Sequence, residues 1–213
     1  MAVSSDPIER LRAVRLPRAW YARDARLVAR SLIGCLLVHE GRAGGQSRVS
    51  RIVETEAYRG ARDLACHARA GLTKRTRSLL GDEGHAYVFF VYGMHDCFNA
   101  TCLGAGYGHA VLVRAGEPTF GFGVDIGVRL DGPGRFARAL GITRAMDGWD
   151  LTEPPLYLCP RRGRPSIVVT ARVGVTYAGA WADRPWRFLD ASSAYVSRPP
   201  KRAIGRLSGA SSK

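Results

Sequence analysis

The spacing of apolar positions along the 213 residues changes from helical to strand-like and back several times. From Asp24 to Ile33 it is helical. Leu27, Val28, Ser31 and Leu32 recur on one face, Asp24 is a capping residue and Gly34 a stop. Cys35–Glu40 reads as a strand, and Gly41–Gln46, with three glycines, as a turn into the next strand. That strand holds "IVETEAY", Ile52 to Tyr58. Side chains alternate faces along a strand, so Glu54, Glu56 and Tyr58 are expected to share one face with Ile52, opposite Val53, Thr55 and Ala57. Thr73–Leu80 reads as a short basic helix ending at Gly81. Tyr87–Tyr92, "YVFFVY", suits a buried strand, and Ala110–Arg114 makes a further apolar strand. Gly132-Pro133-Gly134 breaks the chain before a helix, Arg135–Leu140, closed by Gly141. Ser166–Thr170 and Trp186–Leu189 close a strand-rich second half.

Helices and strands mix here without a βαβ rhythm. The expected class is therefore α+β, one domain with a curved, mostly antiparallel sheet flanked by helices. Residues 1–20 read as a flexible basic lead-in, 21–197 as the folded domain and 198–213 as a basic, disordered tail.

Charge alters this picture most. The chain carries 32 basic and 18 acidic residues, a net +14, which favours a polyanionic partner, nucleic acid first. All but three of the basic residues are Arg. The guanidinium fork grips phosphate bidentately, although a compositional bias toward Arg would give the same count. Five cysteines, an odd number without a CxxC pair, speak against a disulfide framework or a zinc ribbon. No apolar run reaches the length of a membrane span, and the N-terminal residues lack a signal-peptide core. A cytoplasmic protein, neither secreted nor membrane-bound, is expected.

Glu54 and Glu56 lie roughly 6.5 Å apart by strand rise, near the lower limit for two carboxylates flanking a glycosidic bond with water between them. Glu-x-Glu on a wet strand face is far commoner, so the spacing alone is a weak signal. His67 shares no ligand-like spacing with the other histidines, and no metal site is expected. Tyr87, Phe89 and Val91 share a face of a core strand. Tyr92 stands at its end before Gly93, where an aromatic can protrude and wedge into a base stack. Asn99 is either a base-edge reader or a turn-capping amide.

"VETEAY", Asp63-x-Ala65-x-His67-Ala68, Thr73-x-Arg75, "YV…YGM…N", "VLVRA.EP" and "ARVGV" together resemble the alkyladenine DNA glycosylases, the mammalian-type 3-methyladenine DNA glycosylase family with many bacterial members. The matching order runs from about Leu32 to Phe188. The resemblance implies a monofunctional enzyme of base excision repair acting on double-stranded DNA. It flips a damaged purine (3-methyladenine, 7-methylguanine, hypoxanthine or ethenoadenine) from the duplex and hydrolyses its N-glycosidic bond without metal or organic cofactor. Glu56 matches the carboxylate that activates the water, while Arg114 and the Val173 carbonyl match groups that hold it. Tyr58, His67, Ala65, Phe89 and Asn99 match the base pocket, and Tyr92 the residue that fills the gap in the duplex. Lys74, Arg75 and Arg77 would meet phosphate. Glu54 matches no catalytic position and reads as a supporting partner. A monomer suits an enzyme that scans along DNA.

There are two departures from the family pattern. Phe89 replaces a pocket tyrosine of many members, losing a hydroxyl, and the segment 119–131 is short. The alternative of another class is a non-catalytic basic nucleic-acid-binding module, which leaves Glu56 without a task. A metal-dependent nuclease or deaminase lacks the ligand spacing.

Overall fold

Three helices precede the sheet: α1 (Pro7–Arg12), α2 (Arg18–Tyr21) and α3 (Ala25–Leu32). A computed structural model describes residues 5–41, 45–91, 93–123 and 128–198. The lead-in is not loose where it is described. The Asp6 carboxylate caps α1 by accepting from the Ile8 amide at 2.8 Å. Ile8 and Leu11 then pack on Leu36, Val38, Val49, Tyr157 and Cys159. Two apolar residues in one turn are too short a pattern to declare a helix, and burial against the sheet stabilises it instead. Asp24 caps α3 as expected, accepting from the Arg26 amide at 2.9 Å. Its buried stripe is Ala25, Val28, Ala29 and Leu32, while Leu27 is 57% exposed. Two alanines face the sheet there, allowing a close approach in which the Thr55 hydroxyl donates to the Ala29 carbonyl at 2.9 Å.

The strands are β1 (Leu36–His39), β2 (Arg48–Arg59), β3 (Ala86–Val91), β4 (His95–Cys102), β5 (His109–Phe120), β6 (Leu156–Cys159), β7 (Ile167–Thr170) and β8 (Arg187–Asp190). All pair antiparallel, in the order β3-β4-β5-β2-β1-β6, with β8 joining β2 and β7 joining β8. The result is an α+β domain built on a curled sheet, the expected class. The fourth helix, α4 (Pro133–Leu140), ends at Gly141 with φ +70°, a left-handed cap suited to glycine. It buries Phe136, Ala137 and Leu140 in the same core as α3.

The twelve-residue β2 is flanked on one edge by β5 and on the other by β1 near its start and β8 near its end. The "IVETEAY" stretch is thus interior, and no edge of it faces water. Its alternation is broken once. Ile52 pairs with Gly116 and Glu54 with Ala115, so Val53 is an extra residue; Thr55 then pairs with Val113, leaving Arg114 extra on β5. These two bulges offset one another. Ile52 therefore joins Ala57 in the main core instead of sharing the face of Glu54, Glu56 and Tyr58.

Residues 74–80 form successive turns, not the expected helix. The Thr76 hydroxyl donates to the Gly71 carbonyl at 2.6 Å, and the Thr73 amide donates to the Thr76 hydroxyl at 2.8 Å. Such local side-chain bonds compete with a helical ladder. Part of the short 119–131 segment and most of the 198–213 tail lie outside the described residues. Among the described residues no helix is long and apolar enough to cross a membrane.

Candidate active site

The pocket-facing stretch of β2 places two fully buried carboxylates two residues apart. Glu54 is surrounded by donors. Its Oε1 accepts from Arg114 Nε at 2.8 Å, Arg187 Nε at 2.8 Å and the Ser197 hydroxyl at 2.9 Å; its Oε2 accepts from the Ser197 amide at 2.7 Å. Its four donors match the roughly four acceptor positions of a carboxylate, three of them crowded onto Oε1. Burial alone would raise its pKa, but Arg114 and Arg187 outweigh it and hold the group below the ordinary carboxylate value.

Glu56 has fewer partners. Oε1 accepts from the Val173 amide at 2.7 Å, and Oε2 from the Tyr58 hydroxyl at 2.9 Å and Arg114 Nη1 at 3.3 Å. Three of about four positions are taken, and the Arg114 contact is long. Val173 holds Glu56 through its N–H, a contact separate from the one to water expected of its carbonyl. Gly174, with φ +75°, follows it at the turn.

Beyond this pair lies a cavity of about 430 Å³, walled by Tyr58, Ala65, His67, Phe89, Asn99, Arg114 and Val173 among others. All the base-pocket residues expected from the sequence thus line one cavity. Glu56 itself sits one layer behind, and its three partners, Tyr58, Arg114 and Val173, are all in that wall. Tyr87 and Val91 line the cavity beside Phe89, in keeping with the alternation of β3. The Tyr87 hydroxyl lies 2.9 Å from His67 Nδ1, and the His67 ring meets Phe89 edge-on at 4.6 Å. Burial, aided by Arg75, lowers the His67 pKa to about 4, so the ring is neutral at physiological pH. Arg75 Nη2 approaches Nε2 at 3.4 Å. A guanidinium can only donate, which assigns the remaining proton to Nδ1, facing Tyr87. The Asn99 amide nitrogen donates to the Tyr87 carbonyl at 2.9 Å, leaving its side-chain oxygen for the cavity.

Beneath Tyr58 lies a pair that the motif reading did not assign. Arg172 Nη1 and Nη2 donate to the two oxygens of Asp63 at 2.6 and 2.9 Å, both side chains being fully buried. The guanidinium sits 4.8 Å from the Tyr58 ring centroid and 5.0 Å from that of Trp186. Asp63 also accepts from the amides of Arg59 and Ala65. One clamp therefore fixes the Tyr58 ring, the loop carrying Ala65 and His67, and the residue before Val173. The signal available in sequence was an Arg adjoining Val173 and an Asp two residues before Ala65, but nothing in spacing pairs positions so far apart.

Arg75 stands at the rim, its Cζ 5.3 Å from the Phe89 ring centroid. Lys74 and Arg77 are exposed and outside the cavity wall. Tyr92 lies outside the described residues. Tyr177 and Arg198, not singled out by motif, also line the cavity. All five cysteines are buried free thiols, Cys66 and Cys97 within the wall, and burial raises both to about 11. Among the described residues no group of three or more His, Cys, Asp or Glu is placed to hold a metal ion.

Comparison with known proteins agrees with this arrangement. A family profile described as methylpurine-DNA glycosylase matches residues 19–194. A Myxococcus xanthus protein named "Putative 3-methyladenine DNA glycosylase" is 52% identical over 187 residues, 87% of this chain and 94% of its own. Proteins of the same name from Methanocella arvoryzae and Legionella pneumophila (strain Lens) are 45% and 41% identical, covering 90% and 86% of this chain and 98% of each relative. With most of its length matched and the pocket residues gathered around one cavity, the chain belongs to the methylpurine-DNA glycosylase family.

Proposed function

We propose that the cavity receives a damaged purine turned out of double-stranded DNA, and that Glu56 activates the water that cleaves its bond to C1′ of the sugar. Membership of the family makes the chain a hydrolase of N-glycosyl bonds acting on alkylated bases. The finer statements, on lesions, roles and partners, are our reading.

The observation that carries it is the difference in acceptor capacity between two adjacent acids. Glu56 keeps one open position and one long contact, at 3.3 Å to Arg114, where a water can bind. Glu54 already accepts from four donors, two of them charged. An ionised carboxylate next to C1′ also stabilises the positive charge that develops on the sugar as the base departs. Arg114 orients that carboxylate and the water.

The cavity volume lies in the range of small-ligand sites. Tyr58 and the His67–Phe89 edge supply stacking surfaces for a purine, and the Asn99 oxygen reads its edge and repels a misplaced acceptor. N-alkylated cationic purines leave readily, so selection suffices for 3-methyladenine and 7-methylguanine. Hypoxanthine and ethenoadenine need hydrogen bonding to the leaving base. Phe89 removes one hydroxyl from the pocket, although the Tyr87 hydroxyl remains 2.9 Å from His67. Tyr92 would fill the gap in the duplex, and Lys74, Arg75 and Arg77 would meet the backbone phosphates of a substrate bound by a monomer. The non-catalytic alternative finds no support in two carboxylates buried, at high desolvation cost, inside a basic protein.

The test is release of free base from a duplex carrying one lesion, under single-turnover conditions. Glu56→Gln should slow it by roughly a hundredfold or more while leaving duplex affinity intact. Wild-type rates from that variant would reject Glu56 as the base.

A further inference from the structure

Glu54 does more than fill a buried position. Three structural segments converge on its carboxylate: Arg114 from β5, Arg187 from β8, and Ser197 from the strap that follows β8, residues 191–198. The paired bulges bring this about. With Val53 extra on β2 and Arg114 extra on β5, both Glu54 and Arg114 turn toward the pocket side. Arg114 then faces two carboxylates with one guanidinium. Its Nε is 2.8 Å from Glu54, which leaves only Nη1 for Glu56, at 3.3 Å. Its Nη2 reaches the Ser197 hydroxyl at 3.4 Å. A guanidinium free to choose would offer a two-pronged fork to a single carboxylate. Glu54 prevents that fork from closing on Glu56.

We propose that Glu54 is a positioning residue for the hydrolysis: by holding Arg114 through Nε, it keeps one acceptor position on Glu56 open for water. The inference rests on the reading of Glu56 as the base. Arg187 is the counterweight. It pairs opposite Glu56 across β2 and β8 and donates to Glu54 at 2.8 Å, neutralising Glu54 so that its grip on Arg114 is not excessive. Arg187 also donates to the Arg198 carbonyl, which, with Ser197, draws the strap against the site and sets Arg198 on the cavity wall.

The charged and titratable groups around Glu56 are few. Tyr58 and Glu54 share its strand, Arg114 comes from β5, Arg187 from β8, and Arg172 from beside Val173; Arg198 and His67 also line the cavity. Removing the Glu54 charge lets Arg114 fork onto Glu56 and removes a neighbouring anion, and both changes should move the acid limb of the rate to lower pH. Removing the Arg187 charge does the reverse.

The experiment is the pH dependence of single-turnover base release from a lesion duplex, with melting temperature measured on the same samples. For Glu54→Gln the acid limb should move down by about one pH unit, and the plateau rate should fall roughly tenfold. For Arg187→Gln the limb should move up. A merely structural role would lower both rates in step with stability and leave both limbs in place, and that result, or shifts of the same sign, would overturn the proposal. If Glu54→Gln does not fold, the direction of the Arg187→Gln shift decides alone. Glu56→Gln run in parallel separates the two readings. If it is inactive while neither limb moves, this inference fails and the assignment of the base stands; if it is fully active, the assignment itself is at fault.

Discussion

Glu54 and Glu56 lie two residues apart on β2, both fully buried, yet they belong to two different regions of the molecule. Around Glu54 four donors gather, from two arginines and a serine that contributes both its amide and its hydroxyl. Around Glu56 the partners are an amide, a phenol and a distant guanidinium, all set in the wall of an open cavity. The lesson is that a buried charge becomes structural or chemical according to what is left over after its hydrogen bonds are counted. A carboxylate crowded with donors holds other groups still, whereas one with a free position can act on a ligand.

The largest effect that would break this contrast is on stability. Glu54→Ala leaves Arg114 and Arg187 buried without their common partner and should cost about 3–5 kcal/mol in denaturant unfolding. Glu56→Gln keeps the shape and two of the donors, and should cost far less. Equal losses from the two variants would mean that both acids are structural.

The pH dependence of stability sharpens the other side of the pocket. The folded-state pKa of His67 is lowered by burial and by Arg75 to about 4, below the unfolded value of about 6.5. The unfolded chain therefore binds the proton more tightly, and His67 makes stability fall as pH drops from about 6.5 toward 4, with no such slope above. His67→Gln should flatten that window in thermal melts recorded across it. An unchanged slope would mean that other groups govern the acid response.

The smallest effects belong to the rim. Lys74→Ala and Arg77→Ala, both exposed, should change stability by no more than about 0.5 kcal/mol. Each should lower the slope of log affinity for duplex DNA against log salt by about one if it meets a phosphate. Unaltered slopes would place the DNA track elsewhere.

Some elements were legible because their signal is local. Asp24 and Gly34 bracket α3, Gly141 closes α4, and the alternation of Tyr87, Phe89 and Val91 puts all three on the cavity. Other elements were not. Residues 74–80 have a helical composition, but the Thr73 and Thr76 hydroxyls take up backbone groups at the start of the segment. In α1 burial supplies what two apolar residues could not announce, and in α3 the exposed Leu27 and the buried alanines invert a simple hydrophobic ranking.

The same division runs through the site. The order of motifs from "VETEAY" to "ARVGV" determined the family, and with it the roles expected of Glu56, Tyr58 and His67, because each motif is a short run whose spacing survives in one dimension. Only the tertiary structure decided that Ile52 leaves the face of the two glutamates, that Arg172 clamps Asp63 beneath Tyr58, and that Arg114 divides itself between Glu54 and Glu56. Those outcomes depend on two offsetting bulges and on charge pairs formed across some 60 to 130 positions of chain. Periodicity reports which face a residue prefers; which charges meet there is settled by strand register and the cost of burying each one unpaired.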